Sequence, residues 1–326
     1  MVKANGYGLG SIEVARALEP LDPWGFGIAT TEEGRALREG RIERPLLVVS
    51  PFVPADTDRF LDHDLRPSIG DTTALSAWLA RSGRPFHVEV DTGMSRGGVR
   101  WNDSASFDRM RELLAGASGW EGIYTHFHSA DASTVKVQWD RFQAVLATFP
   151  RRPPFVHGAN SAAALMGSAY IADLVRPGIF LYGGRAGDVD PEPVAALRTR
   201  VVAVRTVEEG GTVSYGATWR ATRPTTIATL ALGYADGVPR ATREGVGDKP
   251  LPPRLVELNG DQVPVVGRVT MDLMMVAVQG PVAIGDVATV FGGSVSLDQQ
   301  ALAAGTIPYE LLTSLGQRLP RLYDRP

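Results

Sequence analysis

The strongest constraint on what this chain can fold into is a change of rhythm past its middle. Through about the first 180 residues, short apolar runs alternate with helical stretches. The strand candidates are Trp24–Ala29, Pro45–Ser50, Phe86–Asp91, Gly122–His126, Phe155–His157 and Asp173–Val175. Helical patterns fill the gaps at Ser11–Leu18, Thr31–Glu39, Thr73–Arg81, Ser104–Ala115, Val135–Thr148 and Ser161–Met166. Strands separated by helices read as βα units around a parallel sheet. Repeated over this length, they predict an α/β fold, a (β/α)8 TIM-like barrel rather than an open sheet. After a Gly-, Asp- and Pro-rich loop at Gly183–Pro193 the helical periods thin out. Apolar β-rich runs follow at Leu197–Val207, Thr226–Gly233, Leu255–Leu258, Gln262–Val269, Leu273–Val278 and Val287–Phe291. Helical patterns return only at Leu297–Ala304 and Tyr309–Leu319. The expected division is an α/β barrel over residues 1–190 and a mainly β domain over 197–326.

Composition narrows the function. A length of 326 residues suits two such domains. The net charge of −3 argues against nucleic acid or an anionic membrane as partner, because phosphates need a basic face. The absence of Cys excludes disulfides, thiolate metal sites and cysteine nucleophiles. No basic-apolar leader and no long apolar run is visible, so the expected compartment is the cytoplasm.

Several residues sit where barrel chemistry is expected. Lys3 opens a glycine-rich loop, Ala4 to Gly10. At a strand end such a lysine can form a Schiff base with an aldehyde cofactor; it also reads as a solvated lysine near a terminus. Asn160-Ser161, ahead of an alanine-rich helix, suit a phosphate or serve simply as a cap. In Phe86–Asp91, strand alternation puts His87, Glu89 and Asp91 on one face. Glu89 and Arg96 read as a structural ion pair, or as a device that aims the arginine fork at a carboxylate ligand. His126, His128 and His157 follow strands but lack the carboxylates of a metal motif, so no metal is expected. Tyr215, Tyr234 and Tyr309 lie in loops beside Gly, Asp or Pro and read as packing or as site residues.

Taken in chain order, the segments VKANGYGLG, VEVDTGMSRGG, IYTHFHSAD, VHGANSAAAL, VRPGIFLYG, VSYGATW, LGYADGVPR, VGRVTMDLMMV, GDVATVFG and PYELLTSLGQRLPR resemble the alanine racemases. That family is dependent on pyridoxal 5'-phosphate (PLP) and joins a barrel to a C-terminal β domain. The resemblance runs from residue 2 to residue 321. It implies racemisation of L- and D-alanine, supplying D-alanine for cell-wall peptidoglycan. Lys3 would hold PLP and act as base on one face of Cα, with Tyr215 opposite, supplied across a homodimer interface. PLP would be held by Tyr7, His126, Asn160, Ser161, Arg176, the Gly178–Ile179 backbone and Tyr309, with His157 in the same neighbourhood. The substrate carboxylate would meet Arg96 and the Met271–Asp272 backbone. Asp131, Tyr234, Arg240, Arg268 and Ile307 would line the entrance.

Three departures stand out. Glu89 occupies the position of a family lysine that is often carbamylated, and is expected to supply that negative charge and orient Arg96. Gly6 and Leu9 replace the family's usual Ala and His. Family members also carry a helix and most of the first barrel strand ahead of the PLP lysine. Here that strand is cut to Met1-Val2, which predicts a start set too far downstream. Two readings stand beside the main one: racemisation of serine or a broader set of amino acids, and PLP binding with little turnover.

Overall fold

The computed structural model describes residues 1–240 and 251–324. The chain divides into two compact units: Met1–Gly178 with Ala186–Val189, and Ile179–Arg185 with Asp190–Pro326.

The first unit is a parallel, TIM-like sheet. Its strands are β1 (Phe26–Ile28), β2 (Leu46–Pro51), β3 (Leu65–Ile69), β4 (Phe86–Asp91), β5 (Val99–Arg100), β6 (Trp120–Thr125) and β7 (Phe155–His157). They pair in the order β1-β2-β3-β4-β6-β7, with β5 added beside β4. Two short staves extend the array. Val2 N–H donates to Gly27 O at 2.9 Å, and Leu174 forms a parallel bridge with His157. The Met1 amino group then donates to Pro177 O at 3.1 Å. The last stave is thus one bridge rather than the expected Asp173–Val175 strand. β3 is not among the strand candidates, because Arg66 and Pro67 interrupt its apolar run. It is nonetheless paired on both sides, with β2 and β4.

Helices α2 (Ser11–Leu18), α3 (Thr31–Glu39), α4 (Thr57–Asp62), α5 (Thr72–Arg81), α6 (Ser104–Ala115), α7 (Ala132–Leu146) and α8 (Ser161–Leu165) lie between the strands. Side-chain caps fix most starts: Thr30 for α3, Asp71 for α5, Asp103 for α6, Asp131 for α7 and Asn160 for α8. The apolar sides of strands and helices share one core, which includes Val2, Ile28, Leu46, Leu75, Trp78, Val88 and Ile123. A strand covered on both faces normally reads as an apolar run. β4 departs from this, because His87, Glu89 and Asp91 are all buried.

The segment Lys3–Tyr7 (α1) turns the unusual way. Ala4, Asn5, Gly6 and Tyr7 have φ of 52°, 53°, 60° and 54°. L-residues pay roughly 1–2 kcal/mol each for left-handed helix, so a turn of this kind needs outside support. Glu33 provides it: one carboxylate oxygen accepts from Ala4 N and the other from Ala29 N, both at 2.7 Å. Asn5 Oδ1 accepts from Ser11 N at 3.1 Å.

The second unit is mainly β. β8 (Leu197–Val207), β11 (Thr225–Leu230), β12 (Leu255–Leu258), β13 (Asp261–Val266), β14 (Met274–Val278) and β15 (Val287–Phe291) close into an antiparallel barrel in the order β11-β14-β13-β12-β15-β8. β9 (Thr212–Val213) and β10 (Trp219–Arg220) form a small hairpin. α9 (Leu297–Ala303) and α10 (Pro308–Thr313) follow, α10 ending before the expected Leu319.

Gly6 tests the left-handed turn. A Cβ there would combine the positive φ with a 3.1 Å approach to the Ser11 backbone. Gly6→Ala should therefore lower unfolding stability by about 1–2 kcal/mol, read from the denaturant midpoint at constant m-value.

Candidate functional site

The open end of the parallel unit gathers cations. Lys3 begins the left-handed turn directly after the Val2 stave. Burial lowers its pKa first, Arg96 lowers it further, and Glu33 raises it. His126 follows β6, and its pKa is pressed down to about 3 by burial and then by Arg176, Arg96 and Lys3. His126 is therefore neutral across the working range. Lys3, Arg96, His126 and Arg176 thus share one electrostatic environment.

Arg176 is its most constrained member. A guanidinium offers five N–H donors and no acceptor. Nη1 donates to His157 Nδ1 at 2.5 Å, and Nη2 donates to Thr125 O at 2.7 Å and Gly158 O at 3.3 Å. Its central carbon stands 4.8 Å from the Tyr124 ring centre. Burial lowers its pKa, while Tyr124 and Glu89 raise it. His126 Nδ1 lies at the long distance of 3.5 Å.

A second cluster sits at the α8 start. Ser161 Oγ accepts from Gly178 N at 2.8 Å. A Cβ on Gly178 would fall 2.4 Å from the Tyr7 hydroxyl oxygen. Tyr7, Ser161 and Gly178 are thus brought together, and glycine is what leaves the room. Ile179, the next residue, is buried at the start of a short turn to Tyr182. Asn160 accepts from Ala163 N at 3.0 Å and so serves as the α8 cap. Asp131 plays the same part for α7, accepting from Thr134 N at 2.8 Å, with its pKa held down to about 2 by the bonds from Thr134 and Ser133.

Glu89 corrects one expectation. Its carboxylate makes no ion pair with Arg96 among the described residues. Arg96 acts on it only through space, lowering a pKa that burial raises. The carboxyl instead lies near Tyr124, whose pKa it helps to raise, and packs against Gly97, where a Cβ would lie 3.0 Å from Oε2. The short side chain stays inside the barrel wall and does not follow Arg96, which is exposed.

In the β unit the structure joins two sets of expected residues. Tyr215 stands on a strained turn with Ser214 and Ala217 at φ 67° and 48°. Ser214 Oγ donates to Arg268 O at 2.6 Å, and a Cβ on Gly216 would meet Arg268 Nη1 at 3.2 Å, so Tyr215 and Arg268 are neighbours in the fold. Tyr234 N donates to Thr270 O, and Ala235 N to Met271 O, which lays Tyr234 beside Met271 and Asp272. Arg318, which sequence reasoning passes over, locks this arrangement. Its Nε donates to Asp236 at 2.5 Å and its Nη2 to Asp272 at 2.8 Å. Arg240 and Arg268 line one recess of about 1400 Å³ on this unit. Ile307 precedes α10, and Tyr309, its pKa raised by burial, lies in its first turn. Glu33 also escapes sequence reasoning, because TEEGRALRE reads as an ordinary exposed helix.

A parallel TIM-like barrel carrying a lysine on a braced left-handed turn, followed by a closed β barrel, defines the class. Two family models match the chain: "Alanine racemase, N-terminal domain" over residues 1–186 and "Alanine racemase, C-terminal domain" over 194–323. An alanine racemase of Rhizobium meliloti is 37% identical, over 99% of this chain and 89% of that protein. The crystal structure of alanine racemase from E. faecalis superposes with TM-score 0.88 at 32% identity, covering 99% of this chain and 90% of that one. The alanine racemase of Bacillus anthracis with bound L-Ala-P gives 0.84 at 31%, covering 99% and 87%. The chain belongs to the alanine racemase family and is an amino-acid racemase, an isomerase. Among the described residues no helix is long and apolar enough to cross a membrane.

The chain has three lysines, Lys3, Lys136 and Lys249, the last outside the described residues. Lys3 is shifted down, whereas Asp140 shifts Lys136 up. A lowered pKa leaves more free amine at neutral pH, and a raised one leaves less. Brief treatment with PLP followed by borohydride should label Lys3 well ahead of Lys136 in a peptide map.

Proposed function

We propose that this chain interconverts L- and D-alanine with PLP held by Lys3, using Lys3 and Tyr215 as bases on opposite faces of Cα. The observation that carries the reading is Lys3 at the start of a left-handed turn braced by Glu33, with its pKa lowered by burial and by Arg96. A lysine whose pKa is lowered offers more free amine, which can attack an aldehyde and later move a proton. The surrounding donor set suits PLP. Tyr7, Ser161 and the Gly178–Ile179 backbone, with Tyr309, would hold its phosphate. His126 would lie against its ring, and Asn160 and His157 would border the site. Bound PLP would supply the electron sink that makes the substrate Cα–H acidic.

The rest falls to the protein. Arg176 has no proton it can readily release, so facing the cofactor's ring nitrogen it would act as a donor only and would keep that nitrogen unprotonated. That would weaken electron withdrawal and disfavour transamination. Arg96 would bind the substrate carboxylate through its fork, aided by the Met271–Asp272 backbone. Glu89, buried and near enough to act on Arg96 through space, would supply the local negative charge without touching it.

Racemisation needs a second base on the far face, and a tyrosine there needs nearby cations to work at neutral pH. Tyr215 is 71% exposed on its own unit, and Met271 and Ile307 are also more than half exposed. Apolar and aromatic surface of this kind supports a homodimer in which the partner's barrel covers it. Tyr234, Arg240, Arg268, Ile307 and Asp131 would then border the way in, and a gate of Tyr215 and Tyr309 would favour a small amino acid. Family membership supports D-alanine for cell-wall peptidoglycan as the product's use and the cytoplasm as the compartment.

Incubation with alanine in deuterium oxide tests the reading. The native chain should place deuterium at Cα of both enantiomers. Lys3→Ala should abolish exchange. Tyr215→Phe should cut racemisation by about 10²–10⁴ while exchange persists with one enantiomer. Equal loss with both enantiomers would refute the two-base assignment.

A further inference from the structure

Beneath the site lies a run of buried polar side chains for which the proposed chemistry has no use. His87 and His157 are both fully enclosed in the parallel barrel. His157 Nε2 is 2.8 Å from His87 Nδ1, and His87 Nε2 is 3.3 Å from Glu121 Oε2. The same carboxylate oxygen accepts from Arg66 Nε at 2.7 Å. Arg176, His157, His87, Glu121 and Arg66 therefore form one continuous chain through the interior.

Its direction follows from valence. Arg176 can only donate, so His157 Nδ1 must accept and carries no hydrogen. A neutral imidazole has one N–H, which His157 must then hold on Nε2 and donate to His87 Nδ1. His87 in turn keeps its hydrogen on Nε2 and donates to Glu121, which accepts from both sides. Reversing one bond sets two donors face to face at another. Burial and the nearby Arg176 favour the neutral form of both rings. The rings are also held sterically. Tyr124 stacks on His157 at 4.9 Å with planes 13° apart, and Trp24 packs on His87 at 5.3 Å. A Cβ on Gly122 would fall 2.4 Å from His87 Nδ1.

We propose that Glu121 is a positioning residue for Arg176, acting through His87 and His157. It anchors a one-way hydrogen-bond chain that keeps the acceptor nitrogen of His157 turned to the guanidinium. The functional consequence rests on the reading of Arg176 as the contact to the cofactor's ring nitrogen. A guanidinium held this way presents one fixed set of N–H groups to the site. Released, it would let the nitrogen gain a proton and let the reaction leak toward transamination.

Nitrogen NMR of the full chain labelled in its five histidines tests the bond direction without any turnover. His87 and His157 should both be neutral with hydrogen on Nε2 at neutral pH. Hydrogen on Nδ1 of either ring, or a charged ring, would overturn the proposal whether or not the chain racemises alanine. Two variants then test the consequence in the PLP-loaded enzyme. Glu121→Gln can still present a carbonyl oxygen to His87 and Arg66, and should keep the tautomers and a low yield of pyruvate per turnover. Glu121→Leu removes the acceptor. It leaves the His87 Nε2–H without a partner and loosens the rings behind Arg176, so it should shift or broaden the His157 nitrogen signals, lower kcat by about 10–100-fold with little change in KM, and raise pyruvate formation. Unchanged His157 signals in Glu121→Leu, or Glu121→Gln behaving like Glu121→Leu, would overturn it.

Discussion

The barrel's site is organised around a cation that can only donate. The Arg176 guanidinium is half-buried, and each neighbour it bonds must offer it a lone pair. Two backbone carbonyls and one imidazole nitrogen do so. That requirement settles the tautomer of His157, and the same charge adds to the forces that keep His126 neutral. A Lys at position 176 would be a mobile point charge with three rotatable donors, and none of these consequences would be equally fixed.

The second constraint is the left-handed turn that carries Lys3. Its four successive positive φ values work against folding, and a single acid, Glu33, offsets part of that cost with two charge-assisted bonds to backbone N–H groups. Strain held by such over-determined contacts is characteristic of functional sites. Lys3 is thereby placed on backbone that has little freedom to relax. The β unit uses the same device, with Tyr215 on a strained turn tied to Arg268 and the Tyr234 loop tied by Asp236 and Arg318.

The alternation of short strands and capped helices is legible because barrel strands are apolar runs and helix starts carry Asp, Asn or Thr. β3 is not, since Pro67 and Arg66 break the pattern and only pairing on both sides rescues it. The terminal staves are legible in place but not in extent: Met1-Val2 and Asp173–Val175 are expected as strands, and each contributes a single backbone link. Lys3, Arg96, Arg176, Ser161 and the loop tyrosines are recognisable by their motifs. Glu33, Glu121 and Arg318 are not, because each looks like an ordinary surface charge until the fold brings it to its partner. At Glu89 the pattern points to an ion pair with Arg96 that the described residues do not form. Its buried carboxyl lies beside Tyr124 and Gly97 and acts on the exposed Arg96 only through space.

The central claim is that Lys3 and Tyr215 of different subunits complete one site. Co-expression of Lys3→Ala chains with Tyr215→Phe chains, followed by isolation of the mixed dimers, tests it directly. In a two-fold dimer each mixed pair would contain one site with both defects and one site with neither. The account predicts that mixed dimers recover about half the racemase activity of the native dimer per mole, from parents that are each nearly inactive. Mixed dimers as inactive as the parents would contradict it.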